Sequence, residues 1–212
     1  QWGDSLALLV GDFVFVRLLQ LIADFAARAI GVLADSCTAI VEGETLQMLH
    51  LGDLGMSEET YLRIVTLKTA MLFSACSELG AFVGGAPEEQ VAALRDYGLH
   101  LGIAFQMRDD VLDWVGEEAA LGKPIASDRQ QGKMSLATFA ALERSALASK
   151  ILFSGDRERA LGLLREVGAL DYAMRRCKEH SEQAQEAIAV LQESEAKAEL
   201  LRLADYAVTR DR

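Results

Sequence analysis

Apolar residues recur along this chain at intervals of three and four over long stretches, and the pattern predicts helices almost from end to end. Helices are expected from about Asp4 to Ile30 and from about Ala34 to Leu49, the second ending at the His50-Leu-Gly-Asp-Leu-Gly turn. Ser57-Glu-Glu-Thr reads as the next N-terminus, with Ser57 as cap and Thr60 where a capping-box glutamate would ideally sit. That helix should reach Ala81 or beyond and stop at Gly84-Gly85. Pro87-Glu-Glu opens another, with proline and acids in its first turn, and it runs to Val115. Gly116 to Gly132 reads as loop from its glycines and Pro124. Three or four shorter, more charged helices follow from about Met134 to the C-terminus, broken near Ser154-Gly155 and Gly168. There is no internal repeat, low-complexity tract or interdomain linker, so the expectation is one all-α domain over residues 1–212.

The helix ending at Val115 carries a polar stripe on an apolar body. Gly102, Gln106, Asp109 and Asp113 follow steps of 4, 3 and 4 and so share a face. Ile103, Ala104, Phe105, Met107, Val111, Leu112, Trp114 and Val115 cover most of the remaining circumference, the mark of a helix surrounded by others. Carboxylates aimed into a protein need a positive partner, because unpaired burial costs several kcal/mol or forces protonation. Asp109, Asp110 and Asp113 offer hard oxygens to one small region, which suits Mg²⁺, an ion that takes one or two carboxylates and completes its shell with water and phosphate oxygens. A solvated acidic face with chance spacing is the alternative, and the apolar flanks together with Gln106 weigh against it.

Composition narrows the class. A chain of 212 residues with 51% hydrophobic positions and two prolines is long enough for one substantial core. A net charge of −11 argues against nucleic acid, which needs a basic surface. Cys37, Cys76 and Cys177 are odd in number and lack paired metal spacing, pointing to a reduced, cytoplasmic setting. His50, His100 and His180 are scattered, and none is read as a metal ligand. No basic segment precedes an apolar one as in a signal peptide. Leu6 to Ile22 is apolar enough to suggest a membrane span, but Asp12 and Arg17 each oppose insertion by about 2.5 to 3.5 kcal/mol at a bilayer centre. A buried core helix is expected there instead. The chain starts at Gln1 and enters this helix almost at once, which reads as a fragment.

Two further groups carry candidate chemistry. Lys68 has Ile64, Val65, Met71 and Leu72 as its helical neighbours, so it lies off the solvated face. It is either a snorkelling lysine or, with Thr69 beside it, an ammonium aimed at an anion in a cavity. In the loop after the stripe, Lys123 and Lys133 each follow a glycine that lets backbone approach a ligand, with Asp128 between them. This segment is either an ordinary surface loop or a lid over a phosphate group. Asp12, Glu44 and Gln47 are read as structural or supporting polar groups.

Taken in order, Gly11-Asp12, Glu42-Gly-Glu with Gln47, Lys68-Thr69, Gly102-x-x-Phe105-Gln106-x-x-Asp109-Asp110-x-x-Asp113, Gly122-Lys123, Asp128 and Gly132-Lys133 resemble the trans-isoprenyl diphosphate synthases, or polyprenyl synthetases. The resemblance implies a helical bundle around a central cavity, usually homodimeric, which condenses isopentenyl diphosphate with an allylic diphosphate. It implies Asp109 as the main Mg²⁺ ligand, supported by Asp110 and Asp113. Lys68 and Lys123 would bind the allylic diphosphate, Thr69 and Gln106 would line the reacting centre, and Lys133 would help close the loop.

The departures are as specific. The family's earlier aspartate-rich motif and paired arginines would lie before Gln1, and Met134-Ser-Leu-Ala stands where the family often has x-Thr-Leu-Pro. The expectation is therefore the C-terminal catalytic half of such an enzyme, inactive by itself, with a partner chain as one source of the missing half. Two rivals are a non-catalytic regulatory subunit of a heteromeric synthase and a terpene cyclase of related fold.

Overall fold

The computed structural model describes residues 3–23, 27–116 and 132–211. Its described residues form α1 (Asp4–Ile22), α2 (Ala27–Leu49), α3 (Glu58–Val65), a π-helical turn (Thr66–Ala70), α4 (Met71–Val83), α5 (Glu88–Val115), α6 (Leu136–Arg144), α7 (Ala148–Leu152), α8 (Arg157–Glu166), α9 (Ala169–Ala187) and α10 (Glu195–Thr209). No strand occurs among them.

Local chemistry explains most boundaries. Ser57 Oγ accepts the Thr60 N–H at 3.1 Å, so the expected cap opens α3. Glu88 and Glu89 occupy the first turn of α5, where the helix dipole favours acids. At its other end Arg157 donates to the Trp114 and Gly116 carbonyls at 2.8 and 3.2 Å, placing a cation on the terminal acceptors. Two expectations need correction. The break expected between Ile30 and Ala34 does not occur: Gly31 is absorbed inside α2, which runs unbroken from Ala27 to Leu49. The C-terminal stretch also breaks after Ala187, without a glycine or proline to announce it. There the Lys197 ammonium reaches back to the Ala189 and Leu191 carbonyls at 3.3 and 2.8 Å, satisfying acceptors in the turn that follows α9.

The stripe-bearing helix is central, as its apolar circumference requires. α5 packs chiefly between α4 and α9, with α10 and the π turn as further neighbours. The main core surrounds Ile64, Met107, Val111, Trp114, Leu136, Leu164 and Cys177, and a smaller cluster gathers Tyr97, Leu101, Ile188 and Ala204. Tyr97 OH donates to the Leu200 carbonyl at 2.7 Å, tying α5 to α10.

The π turn is gripped from both sides by glycines. A Cβ on Gly43 of α2 would lie 2.6 Å from the Lys68 nitrogen, and one on Gly102 of α5 would lie 2.6 Å from Ala70 Cα. Backbone approaches this close exclude any side chain, so these positions set how deeply the turn seats.

α1 does not match its expected burial: none of its residues is buried, and Leu8, Leu9, Phe13, Val14 and Leu21 are each at least 60% exposed. The apolar circumference correctly signals a helix that needs cover, but the described residues of this chain do not supply it. By length and composition α1 and the Glu58–Val83 stretch are apolar enough to cross a bilayer, though a third of the latter's most apolar window is buried in the fold.

Candidate active site

One pocket, partly open to solvent, gathers most of the polar residues that the sequence singles out. The π turn contributes Lys68 and Thr69. Successive side chains on an α-helix diverge by about 100°, and the wider π coil brings two neighbours toward one cavity. α5 contributes Gln106, Asp110 and Asp113, and the segment leading into α6 contributes Lys133 and Ser135. Met56, Ile64, Val65, Trp114 and Met134 supply apolar lining.

Lys68 is a cavity lysine with assigned partners. Its ammonium donates to Gln47 Oε1 at 2.6 Å and pairs with Glu44 Oε2 at 2.5 Å. Glu44 and Gln47, three residues apart on α2, thus orient the lysine, the supporting part their spacing suggested. With side chains 31% and 51% exposed, the ion pair adds little to stability and chiefly fixes direction.

On α5 the working face is drawn slightly differently from the expected stripe. Gln106, Asp110 and Asp113 line the pocket, at steps of four and three, while Asp109 turns its Oδ1 to Arg210. Both patterns fall on one helical meridian, and Asp109 and Asp110 flank it on opposite sides. Asp113 is 4% exposed. Asp110 accepts from Tyr61 OH at 2.7 Å and from Gln106 Nε2 at 2.9 Å, and Gln106 Oε1 accepts the Thr69 hydroxyl at 2.9 Å. Among the described residues no three His, Cys, Asp or Glu side chains converge as a ready cage for a metal ion. An all-oxygen set of few carboxylates beside lysines fits an ion that shares its shell with water and phosphate, as Mg²⁺ does.

Lys133 is positioned by its glycine. Gly132 has φ +74°, its carbonyl accepts the Gly52 N–H at 2.8 Å, and a Cβ there would lie 3.0 Å from the Gly52 nitrogen. The turn after α2 therefore anchors the backbone carrying Lys133. Ser135 caps α6, its hydroxyl accepting the Thr138 N–H at 3.4 Å, so the Met134-Ser-Leu-Ala variation keeps a capping side chain. Lys123 and Asp128 lie outside the described residues. Asp12 sits on exposed α1 and is not among the residues that line the pocket.

Two participants were not singled out in the sequence. Tyr61 is buried at 3% exposure and was hidden in an ordinary helical stretch. Arg210, 8% exposed, stacks its guanidinium over the Phe105 ring at 3.9 Å, donates to the Phe105 carbonyl at 3.0 Å and contacts Asp109. Arg108 in turn grips the Arg210 carbonyl at 3.0 and 2.7 Å. The nearest signal was the basic residue in the final Thr-Arg-Asp-Arg.

Comparison with known proteins agrees with this geometry. The family model described as polyprenyl synthetase matches residues 1–159. The chain is 37% identical to the short chain isoprenyl diphosphate synthase of Methanothermobacter thermautotrophicus, covering 99% of this chain and 69% of that protein. It is also 37% identical to the octaprenyl diphosphate synthase of Haemophilus influenzae, covering 100% of this chain and 67% of that protein. The solved polyprenyl synthase from Caulobacter crescentus, complexed with calcium and isoprenyl diphosphate, superposes with a TM-score of 0.94 at 36% identity, over 100% of this chain and 68% of that one.

Proposed function

The chain belongs to the polyprenyl synthetase family, a family of prenyltransferases, and from that premise we propose that its pocket holds an allylic diphosphate with Mg²⁺ for condensation with isopentenyl diphosphate. The observation that carries this reading is the meeting of Lys68 and Lys133 with Asp110 and Asp113 around one partly apolar cavity. Asp109, Asp110 and Asp113 are the carboxylates that would hold the metal. When bound, Mg²⁺ neutralises charge on the departing diphosphate. Lys68, aimed by Glu44 and Gln47, and Lys133, on its anchored turn, add fixed positive charge to the same oxygens. Lys123 is assigned the same part by its place in the family motif. Thr69 and Gln106 line the reacting centre, and the apolar lining receives hydrocarbon and excludes water. The calcium and isoprenyl diphosphate of the Caulobacter crescentus relative support a cation–diphosphate site.

We propose further a homodimer in which the apolar surface of α1 is covered, and a cytoplasmic setting consistent with three free cysteines. The relatives are synthases, which disfavours both the regulatory-subunit and the cyclase readings. Calorimetric titration with inorganic pyrophosphate tests the site without requiring turnover. Binding is expected in Mg²⁺, with loss in EDTA and a marked weakening in Lys68→Met. Equal affinity under all three conditions would overturn the assignment.

A further inference from the structure

Tyr61 lies under the pocket, and its hydroxyl is spent on one acceptor, Asp110 Oδ2 at 2.7 Å. The other oxygen of that carboxylate, Oδ1, accepts from Gln106 Nε2 at 2.9 Å, and the Gln106 carbonyl oxygen accepts from Thr69 at 2.9 Å. Four side chains from three elements form one connected run whose donors converge on the Asp110 carboxylate. The orientation of the Gln106 amide within it is forced: the reversed amide would set its oxygen against a carboxylate oxygen and leave its NH₂ toward the Thr69 side. Burial first, then the Asp110 charge, holds the Tyr61 phenol well above its ordinary pKa, so it remains a donor throughout the neutral range.

We propose that Tyr61 is a positioning residue: by fixing the Asp110 carboxylate it locks the Gln106 amide with its oxygen on the Lys68–Thr69 side of the reacting centre. This rests on the pocket being the prenyl-transfer site. There the allylic carbon gains positive character as diphosphate departs, and a carbonyl dipole facing it lowers the barrier where an NH₂ group would raise it. The lock costs nothing at the moment of reaction, because the dipole is already set. Asp110 thereby has a second task besides holding metal: two of its acceptor sites are committed to protein donors, and the remaining lone pairs stay open to the ion.

Tyr61→Phe is the direct perturbation. It keeps the ring that meets Phe139 edge to face, with centroids 6.0 Å apart, and removes only the hydroxyl. Supporting partners of this kind typically change activity by about 10- to 100-fold. With the missing half of the site supplied, so that turnover can be read, kcat is expected to fall by that factor. The pyrophosphate Kd in Mg²⁺ and the allylic-substrate KM should stay within about threefold, because the loss lies in the transition state. In a Gln106→Leu background the same change should have no further effect on kcat. A readout independent of turnover is the Gln106 side-chain amide resonance in a ¹⁵N spectrum, assigned by its disappearance in Gln106→Leu and expected to shift or broaden in Tyr61→Phe. An unmoved amide resonance, or a loss in kcat that persists undiminished in the Gln106→Leu background, overturns the proposal. Absence of Mg²⁺-dependent pyrophosphate binding by the unmodified protein would instead overturn the reading of the pocket, while the amide resonance would still report on the lock.

Discussion

Gly102→Ala and Gly80→Ala are the same chemical change on neighbouring helices, and the structure predicts opposite signs. At Gly80, an exposed position on α4, a new Cβ meets nothing within 4 Å. Alanine there gains helix propensity and restricts the unfolded chain, stabilising by about 0.5 to 1 kcal/mol. At Gly102 the new Cβ would stand 2.6 Å from Ala70 Cα, 3.0 Å from Phe73 Cβ and 3.1 Å from Ala70 Cβ. Reaching ordinary contact at 3.4 Å requires the π turn and α5 to part by about 0.8 Å, and the closest obstacle is backbone that has no rotamer to change. Overpacking costs about 1 to 3 kcal/mol, and where backbone must move the upper part of that range, about 2 to 3 kcal/mol, applies; against a propensity gain of about 1 kcal/mol this leaves a net loss of about 1 to 2 kcal/mol. Urea unfolding reads both. With a slope of about 2 kcal/mol/M the midpoint should fall by about 0.5 to 1 M for Gly102→Ala and rise by about 0.3 M for Gly80→Ala. Because Thr69 adjoins Ala70 and Gln106 lies one turn beyond Gly102, the separation should also stretch the Thr69–Gln106 hydrogen bond. A Gly102→Ala protein as stable as the unmodified chain would refute the argument that glycine is required for close seating.

Arg210→Ala removes the charged contact to Asp109 and the stack on Phe105, and a loss of about 1 to 3 kcal/mol is expected from those terms; an unchanged melting temperature would show that the C-terminal contact is incidental. His100 and His180 meet with Nδ1 atoms 3.1 Å apart, and burial first, then His100, lowers the His180 pKa to about 4. A histidine whose folded pKa lies below its ordinary 6.5 favours the folded state above pH 6.5 and withdraws that advantage as pH falls toward 4, a loss of about 1 to 2 kcal/mol after discounting partial exposure. His180→Gln should flatten the urea midpoint between pH 6.5 and 4 relative to the unmodified protein, and parallel profiles would count against the titration.

Helix existence was legible because α5 and its neighbours announce themselves by period, and the caps at Ser57 and Pro87 by residue type. Where α1 sits was not legible: all-round apolarity states that a helix needs cover and says nothing of what provides it. The site divides in the same way. Lys68, Thr69, Gln106 and Asp113 were recoverable from a polar residue on an apolar face. Tyr61 and Arg210 were not, since a tyrosine between helix formers and an arginine near a terminus look like surface chemistry until α3, α5 and the C-terminal segment are brought together. The break after Ala187 left no breaker residue, and the lysine that bonds the carbonyls of the turn there lies in the following helix.

The π turn fixes something besides direction. It holds one residue more than a regular α-helix would between the same ends, and that surplus is what seats Lys68 and Thr69 together against Gly43 and Gly102. Deleting a single residue from Thr66–Ala70 would let the segment close as an ordinary helix between the same ends, leaving α4 in register on α5 while Lys68 and Thr69 diverge by about 100° and no longer face one cavity together. The surplus residue thus serves the pocket rather than the bundle: losing it would spare the fold and cost the site.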